Sequence, residues 1–140
     1  MPASRLSPTR FFAAYGVALI VMSVLDGVWL GWLARDFYRN ELGALMTDSV
    51  RVVPAALYYL CYPAAIVYLA LAPSLRRGEA VLRSAVLGLA AFGVYDLTNL
   101  ATLKGYSPTM TVVDMAWGAF ATAVGGGVAH ALVFARANAT

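Results

Sequence analysis

Four long apolar stretches alternate with short polar segments along the chain. They cover residues 11–34, 52–72, 81–103 and 110–135. Each stretch is long enough to span a membrane, because about 20 helical residues cross a hydrocarbon core of about 30 Å. The pattern predicts an all-α fold, a bundle of four transmembrane helices that forms a single domain over residues 1–140.

The polar segments between the stretches are of two kinds. Two are short turns, marked by Pro73 and Gly78 and by the Gly105–Pro108 segment. The segment 35–51 is longer and mixes charges with apolar residues such as Leu42, Leu45 and Met46. It predicts a short interfacial helix between the first two transmembrane helices. A disordered linker is the alternative, but the apolar content argues against it.

The composition excludes a water-soluble domain. Hydrophobic residues make up 61% of the chain and charged residues 12%, whereas a soluble domain has about 25% charged residues. The lipid bilayer is therefore the expected partner. No basic cluster interleaved with aromatic residues occurs, so we expect no nucleic-acid binding. The first stretch begins like a signal peptide, but its length and its internal Asp26 favour a retained helix.

Arginine and lysine in the short loops predict the orientation. Four spans place both termini on one side of the membrane, and that side has more basic residues: Arg5, Arg10, Arg76, Arg77, Arg83 and Arg136. The opposite side has Arg35, Arg39, Arg51 and Lys104. The bias predicts cytoplasmic termini.

Small residues inside the stretches predict close helix packing. Gly27 and Gly31 are four residues apart on the first helix, and Gly125, Gly126 and Gly127 lie on the fourth. The Gly27–Gly31 spacing is expected to mark contacts within the bundle. A homodimer through this face, or another membrane partner, is the alternative.

Three carboxylates inside the apolar stretches are the main candidates for function. Asp26, Asp96 and Asp114 each occupy a position where a charge costs about 3 kcal/mol. Helical rise places all three about 6–12 Å from the same membrane face, although their helices alternate in direction. The same layer contains Tyr58, Tyr59, Thr98 and Asn99. We therefore expect one acidic pocket on the side opposite the termini.

A D-x-x-W pattern occurs twice, as Asp26 with Trp29 and as Asp114 with Trp117. An indole N–H donates a hydrogen bond and a carboxylate accepts one, so each Trp could hold its Asp in place or form a wall of the pocket. The predicted ligand- or cation-binding residues are Asp26, Asp96, Asp114, Asn99, Tyr58, Tyr59, Trp29, Trp117 and Thr98. Trp32, Tyr38 and Tyr106 are expected to be aromatic anchors at the membrane interfaces.

Several kinds of chemistry are disfavoured. His130 is the only histidine and lies far from the acidic layer, so a zinc site is not expected. Single Cys61 excludes a cysteine-based metal cluster. Phosphate-binding, dinucleotide and hydrolase motifs do not occur, and the cofactor and ligand stay unknown. A hard cation held by Asp, Asn and Tyr oxygens remains open.

Three functions fit this pattern. The first is the binding or transport of a cation, a proton or a small basic ligand. The second is a membrane enzyme in which two aspartates act as acid and base. The third is an accessory subunit, in which the three aspartates only form hydrogen bonds between helices, contributing about 0.6 kcal/mol each.

Several segments together resemble a known family. They are L-D-G-V-W-L-G from Leu25, F-Y-R-N-E-L-G from Phe37, P-A-A-L-Y-Y from Pro54, Y-D-L-T-N-L-A-T from Tyr95 and D-M-A-W-G from Asp114. In this order they are similar to the bacterial membrane-protein family named domain of unknown function 2177. The resemblance implies a small four-span protein of the bacterial inner membrane. It implies no activity and no catalytic residues.

Overall fold

The computed structural model describes residues 6–134, which are almost entirely helical. Helix α1 covers Pro8–Val28 and continues as a π-helical turn, Trp29–Leu33, and the short helix α2 covers Arg35–Leu42. Helix α3 covers Val52–Ala65 and also continues as a π-helical turn, Ile66–Leu71. Helix α4 covers Arg77–Thr102, and α5 covers Pro108–Val133. Within the described residues, four helices are long and apolar enough to cross a membrane, and the predicted fold class is confirmed. Arg5, Arg136 and position 135 lie outside the described residues.

Helices α1 and α5 begin with the same local signal, a serine followed by a proline. Ser7 accepts a hydrogen bond from the Arg10 N–H at 3.2 Å, and Ser107 accepts one from the Met110 N–H at 3.1 Å. The serine oxygen satisfies a free N–H of the first turn, and proline tolerates the first helical position because that turn does not need its N–H. The Ser-Pro pairs therefore define where both helices start.

Helices α4 and α5 share the most extensive interface in the bundle, and glycines allow their backbones to approach. A Cβ atom on Gly88 would overlap the carbonyl oxygen of Gly118 and the Thr122 hydroxyl. Further along the same interface, Gly126 contacts Ser84. The contact depends on backbone approaching backbone, which only residues without a side chain allow.

The first helix packs on α5 with small residues, and α3 completes the bundle. Ala14, Ala18 and Met22 are buried, and they lie in one apolar core with Ile66 and Leu71 of the π-helical turn after α3. The core lies toward the ends of the helices near the termini, so the polar layer occupies the opposite half of the bundle.

The expected role of Gly27 and Gly31 inside the bundle is wrong. Both residues are exposed, and no described atom lies within 4 Å of a Cβ placed on either one. The face of α1 that packs inward carries Ala14, Ala18, Met22 and Asp26 instead. The Gly27–Gly31 face therefore faces lipid in the single chain.

The short helix α2 lies between the first two transmembrane helices, as the sequence predicts. It ends at Gly43, whose φ of 53° favours glycine, and a short turn, Gly43–Leu45, follows. Two side-chain contacts hold the helix against the bundle. Tyr38 is buried and bonds to Asp114, and Glu41 accepts a hydrogen bond from Ser107. The helix is thus fixed to the start of α5.

Candidate functional site

Asp26 is held by donors from two other helices. Its side chain is buried, with 4% of its surface exposed. Oδ2 accepts a hydrogen bond from the Tyr59 hydroxyl of α3 at 3.0 Å, and Oδ1 accepts one from the Trp117 indole of α5 at 2.9 Å. Both carboxylate oxygens therefore have a partner, and Asp26 joins α1, α3 and α5.

The hydrogen-bond donor to Asp114 belongs to the short helix α2 and not to a transmembrane helix. Its Oδ1 accepts a hydrogen bond from the Tyr38 hydroxyl of α2 at 2.7 Å. The Trp29 indole in turn donates to the Tyr38 oxygen at 3.2 Å. Trp29, Tyr38 and Asp114 thus form a chain of hydrogen bonds that runs from α1 through α2 to α5.

The two D-x-x-W pairs exchange partners. Trp117 bonds to Asp26 and not to its own helix neighbour Asp114, while Trp29 reaches Asp114 only through Tyr38. The two indole rings stack with their centroids 4.5 Å apart and an angle of 7° between the planes. The repeated motif therefore marks the contact between α1 and α5.

Asp96 is the most deeply buried of the three, with 0% of its surface exposed. Its Oδ1 accepts a hydrogen bond from the Tyr106 hydroxyl at 2.8 Å, whereas Oδ2 receives none from the described part of the chain. Asp114 is the acidic neighbour of Asp96, close enough for the two carboxyl groups to interact electrostatically. Asp114 is therefore a neighbour of both other carboxyl groups, Asp96 and Asp26.

Tyr38 and Tyr106 were expected to be interfacial anchors, and this expectation is wrong. Both are buried and donate to the carboxylates. Burial, together with the hydrogen bond to Asp114, raises the pKa of Tyr38 well above its usual range, and burial with the bond to Asp96 does the same for the pKa of Tyr106. Both hydroxyls therefore remain donors at neutral pH. Trp32 has 76% of its surface exposed, and its role as an interfacial anchor stays a prediction.

A cavity of about 570 Å³, here called the aromatic cavity, opens beside Asp26 and Asp114. Its walls come from α1, α3, α4 and α5. The aromatic side chains of this wall are Tyr58, Tyr59, Tyr62, Phe92, Tyr95 and Trp117. The hydroxyl of Tyr58 is buried and has no hydrogen-bond partner within residues 6–134. Most of the cavity surface is apolar, because aromatic and other apolar side chains form its wall, and its acidic groups are Asp26 and Asp114.

A second cavity, of about 520 Å³, lies under α2 and is here called the interfacial cavity. It is lined by charged residues of the 35–51 connection and by apolar residues of α1, α2 and α5. Leu30, Tyr95 and Asp114 line both cavities. Asp114 therefore lies between the mostly apolar aromatic cavity and the interfacial cavity, whose lining includes charged residues.

Four of the nine predicted site residues do not line the aromatic cavity: Trp29, Asp96, Thr98 and Asn99. Thr98 is exposed, and its hydroxyl bonds to backbone carbonyls of its own helix, at Val94 and, at 3.2 Å, at Tyr95. Asn99 is half-buried and lies beside Tyr106. Thr98 therefore lies on a different face of α4 from the buried Asp96, whereas Asn99 is three residues from Asp96 and shares its neighbour Tyr106.

His130 lies in the opposite half of the bundle. It is buried, and its Nε2 is 3.4 Å from the Ser74 carbonyl oxygen. No group of three or more His, Cys, Asp and Glu side chains that could hold a metal ion occurs in the described residues. We assign no role in the acidic site to His130.

One family model matches the chain. The family is described as "Predicted membrane protein (DUF2177)", and the match covers residues 11–131, which is most of the sequence. No curated protein and no solved structure is significantly similar to the chain.

Proposed function

The chain belongs to this family of predicted membrane proteins, and we propose that its aromatic cavity binds a small apolar molecule with a basic head group. The observation that carries this proposal is that two buried carboxyl groups and a set of aromatic rings line one cavity. Its volume of about 570 Å³ lies within the usual range for small-molecule sites, about 300–1,000 Å³.

Charge and ring chemistry both favour a cation. A carboxylate in an apolar cavity attracts a positive charge strongly, because little water is present to screen it. Aromatic faces add a cation–π attraction of about 0.5–2 kcal/mol when the cation is desolvated. Tyr59 and Trp117 provide such rings next to Asp26.

The two carboxylates have different roles in this proposal. Both oxygens of Asp26 already accept hydrogen bonds, so we assign it to fixing Tyr59 and Trp117 in the cavity wall. Asp114 has one oxygen bonded to Tyr38. We assign Asp114 to the ion pair with the ligand.

The first prediction is that the purified protein binds benzyltrimethylammonium and rejects neopentylbenzene, its uncharged isostere. The two probes have the same shape, so only the cation gains from the carboxylates and rings. The measurement is titration of tryptophan fluorescence in detergent, because Trp117 lines the cavity, with protein-free micelles as the blank. Asp114→Asn should weaken binding of the cation at least about tenfold.

Asp36→Asn is the matched control, since Asp36 is an exposed aspartate of α2 that lines neither cavity. Its affinity should equal that of the wild type. Equal binding of the charged and uncharged probes, or full affinity in Asp114→Asn, would show that the cavity does not select cations.

A membrane enzyme is the second candidate, and the Asp96–Asp114 pair favours it. Both carboxyl groups are buried, and Oδ2 of Asp96 has no hydrogen-bond partner within residues 6–134 that would keep it from a substrate. Two neighbouring carboxyl groups can serve as the acid and the base of one reaction. Turnover of a membrane lipid that is lost in both Asp96→Asn and Asp114→Asn would favour this candidate over simple binding.

We also propose the bacterial inner membrane as the location, with both termini in the cytoplasm. The support is the larger number of arginines on the side of the termini, including Arg76, Arg77 and Arg83. This orientation places α2 and both cavities in the outer half of the membrane. A homodimer through the lipid-facing Gly27–Gly31 face stays a prediction.

The second prediction concerns this orientation. A reporter enzyme that is active only in the periplasm should be inactive when fused after residue 140, and active when inserted at Ser49 in the 35–51 connection. The comparison of the two fusions in the same cells is the measurement. The reverse pattern would invert the protein and place both cavities in the cytoplasmic half.

A further inference from the structure

The interfacial cavity is lined by two arginines that form no ion pair with the described residues. Arg35 and Arg39 lie one helical turn apart on α2, so their side chains share a face. Both line the interfacial cavity. Neither forms an ion pair within residues 6–134. Two adjacent guanidinium groups without a partner are a site for a phosphate, whose oxygens match their planar donors.

The position of the cavity is that of a lipid head group. The transmembrane segment of α1 ends at Leu33, directly before Arg35. The guanidinium groups therefore lie at the level where the hydrocarbon core meets the head groups. The same cavity is lined by Leu30, Leu42 and Met110, which provide the apolar surface that the glycerol and upper acyl carbons of a lipid require.

The cavity is also lined by two carboxyl groups, of which Asp114 already accepts a hydrogen bond from Tyr38. Asp48, from the connection after α2, lines it together with Thr47. Asp48 is exposed and forms no ion pair in the described part of the chain. A purely anionic ligand would be repelled by this carboxylate, whereas a head group with both charges could satisfy all three residues.

We propose that the interfacial cavity binds the zwitterionic head group of an aminophospholipid, with the phosphate at Arg35 and Arg39 and the primary ammonium at Asp48. The acyl chains follow the apolar residues toward the lipid. This site adjoins the proposed cation site, because Asp114 lines both cavities, but its own ligand contacts are Arg35, Arg39 and Asp48 and do not depend on the ligand of the aromatic cavity.

The third prediction tests lipid selectivity. The protein is incubated with equal amounts of phosphatidylethanolamine, phosphatidylglycerol, phosphatidylcholine and diacylglycerol of the same chain length, and the bound lipids are counted by native mass spectrometry. We expect phosphatidylethanolamine to exceed each other lipid at least about fivefold, because only its head group has both a phosphate and an ammonium that donates hydrogen bonds.

The variants separate the contributions of the charges. Arg35→Gln with Arg39→Gln should reduce bound phosphatidylethanolamine at least about tenfold. Arg51→Gln is the matched control, because this exposed arginine belongs to the same connection but does not line the cavity. Asp48→Asn should shift the preference toward phosphatidylglycerol, since it removes the carboxylate that repels an anionic head group.

Each remaining outcome contradicts the proposal. Phosphatidylglycerol bound as well as phosphatidylethanolamine by the wild type would overturn the assignment of Asp48. Displacement of the lipid by millimolar inorganic phosphate would show a site for free anions and not for a lipid. Unchanged lipid binding in the double arginine variant would contradict the assignment of the phosphate to Arg35 and Arg39. If that variant does not fold, the lipid selectivity of the wild type still tests the proposal.

Discussion

Replacing Gly88 with alanine should destabilise the bundle by about 2–3 kcal/mol, the largest effect that we expect from a single methyl group in this protein. The added Cβ would overlap the carbonyl oxygen of Gly118, which belongs to the backbone and cannot rotate away. Helices α4 and α5 would have to separate, and they share the most extensive interface in the bundle. The measurement is the free energy of reversible unfolding in mixed micelles of a mild detergent and dodecyl sulfate.

Two other glycines serve as controls for this prediction. Gly118→Ala would meet the ring of Phe92, a side chain that can move, so its cost should be smaller. Gly27→Ala meets no described atom within 4 Å, and alanine is the better helix former by up to about 1 kcal/mol. The expected order of stability is therefore Gly27→Ala, then Gly118→Ala, then Gly88→Ala. Equal stability of all three variants would mean that α4 and α5 do not pack through these glycines.

Replacing Asp26 with asparagine should cost about 1–3 kcal/mol of unfolding free energy. The carboxylate accepts two hydrogen bonds, from Tyr59 and Trp117. An amide has one oxygen and a donor group, so one of the two donors would lose its acceptor and face an N–H instead. The same unfolding measurement tests this, with Asp48→Asn as a control because Asp48 is exposed.

A double-mutant cycle separates this hydrogen bond from general effects of the substitution. Tyr59→Phe removes the hydroxyl that donates to Oδ2 of Asp26 at 3.0 Å. If the bond forms, the two substitutions together should cost less than the sum of their separate effects. Strict additivity would contradict the contact between α1 and α3.

The depth of the three aspartates along their helices was predictable from the sequence, because it depends only on helical rise. The sequence placed Asp26, Asp96 and Asp114 in one layer, and the structure has all three buried in that half of the bundle. The apolar stretches and the Ser-Pro helix starts are likewise local signals, so the four membrane helices could be predicted.

The partners of the carboxylates were not predictable in this way, because they come from other parts of the chain. The spacing of Asp114 and Trp117 suggests a pair within one helix, yet the side-chain direction sends the indole to Asp26. Thr98 was in the right layer but on the wrong side of α4. The depth of a residue does not determine which face of its helix packs inward. Hydrophobic periodicity gives little help in a transmembrane helix, because the face toward lipid is apolar as well as the face toward the bundle.

Tyr38 and Tyr106 were missed for a related reason. Tyrosine near a membrane boundary is common in interfacial belts, and that rule does not distinguish a ring facing lipid from one facing a carboxylate. The signal that could have identified Tyr38 is its position on α2, four residues before Leu42 and thus on the same face. The aromatic cavity has five of the residues predicted for an acidic pocket in its wall, whereas the interfacial cavity depends on tertiary contacts and had no counterpart in the sequence analysis.

The two hydrogen bonds of Asp26 have a consequence for synthesis on the ribosome. The acceptor is on the first helix, but its donors lie 33 and 91 residues further along the chain. At about 5–20 residues per second, Trp117 emerges about 5–18 s after Asp26. During this interval the first helix carries a carboxyl group that lipid does not satisfy. We therefore expect the first helix to remain beside the insertion machinery until the fourth membrane helix is synthesised. Release of the first helix into lipid would then depend on the last helix.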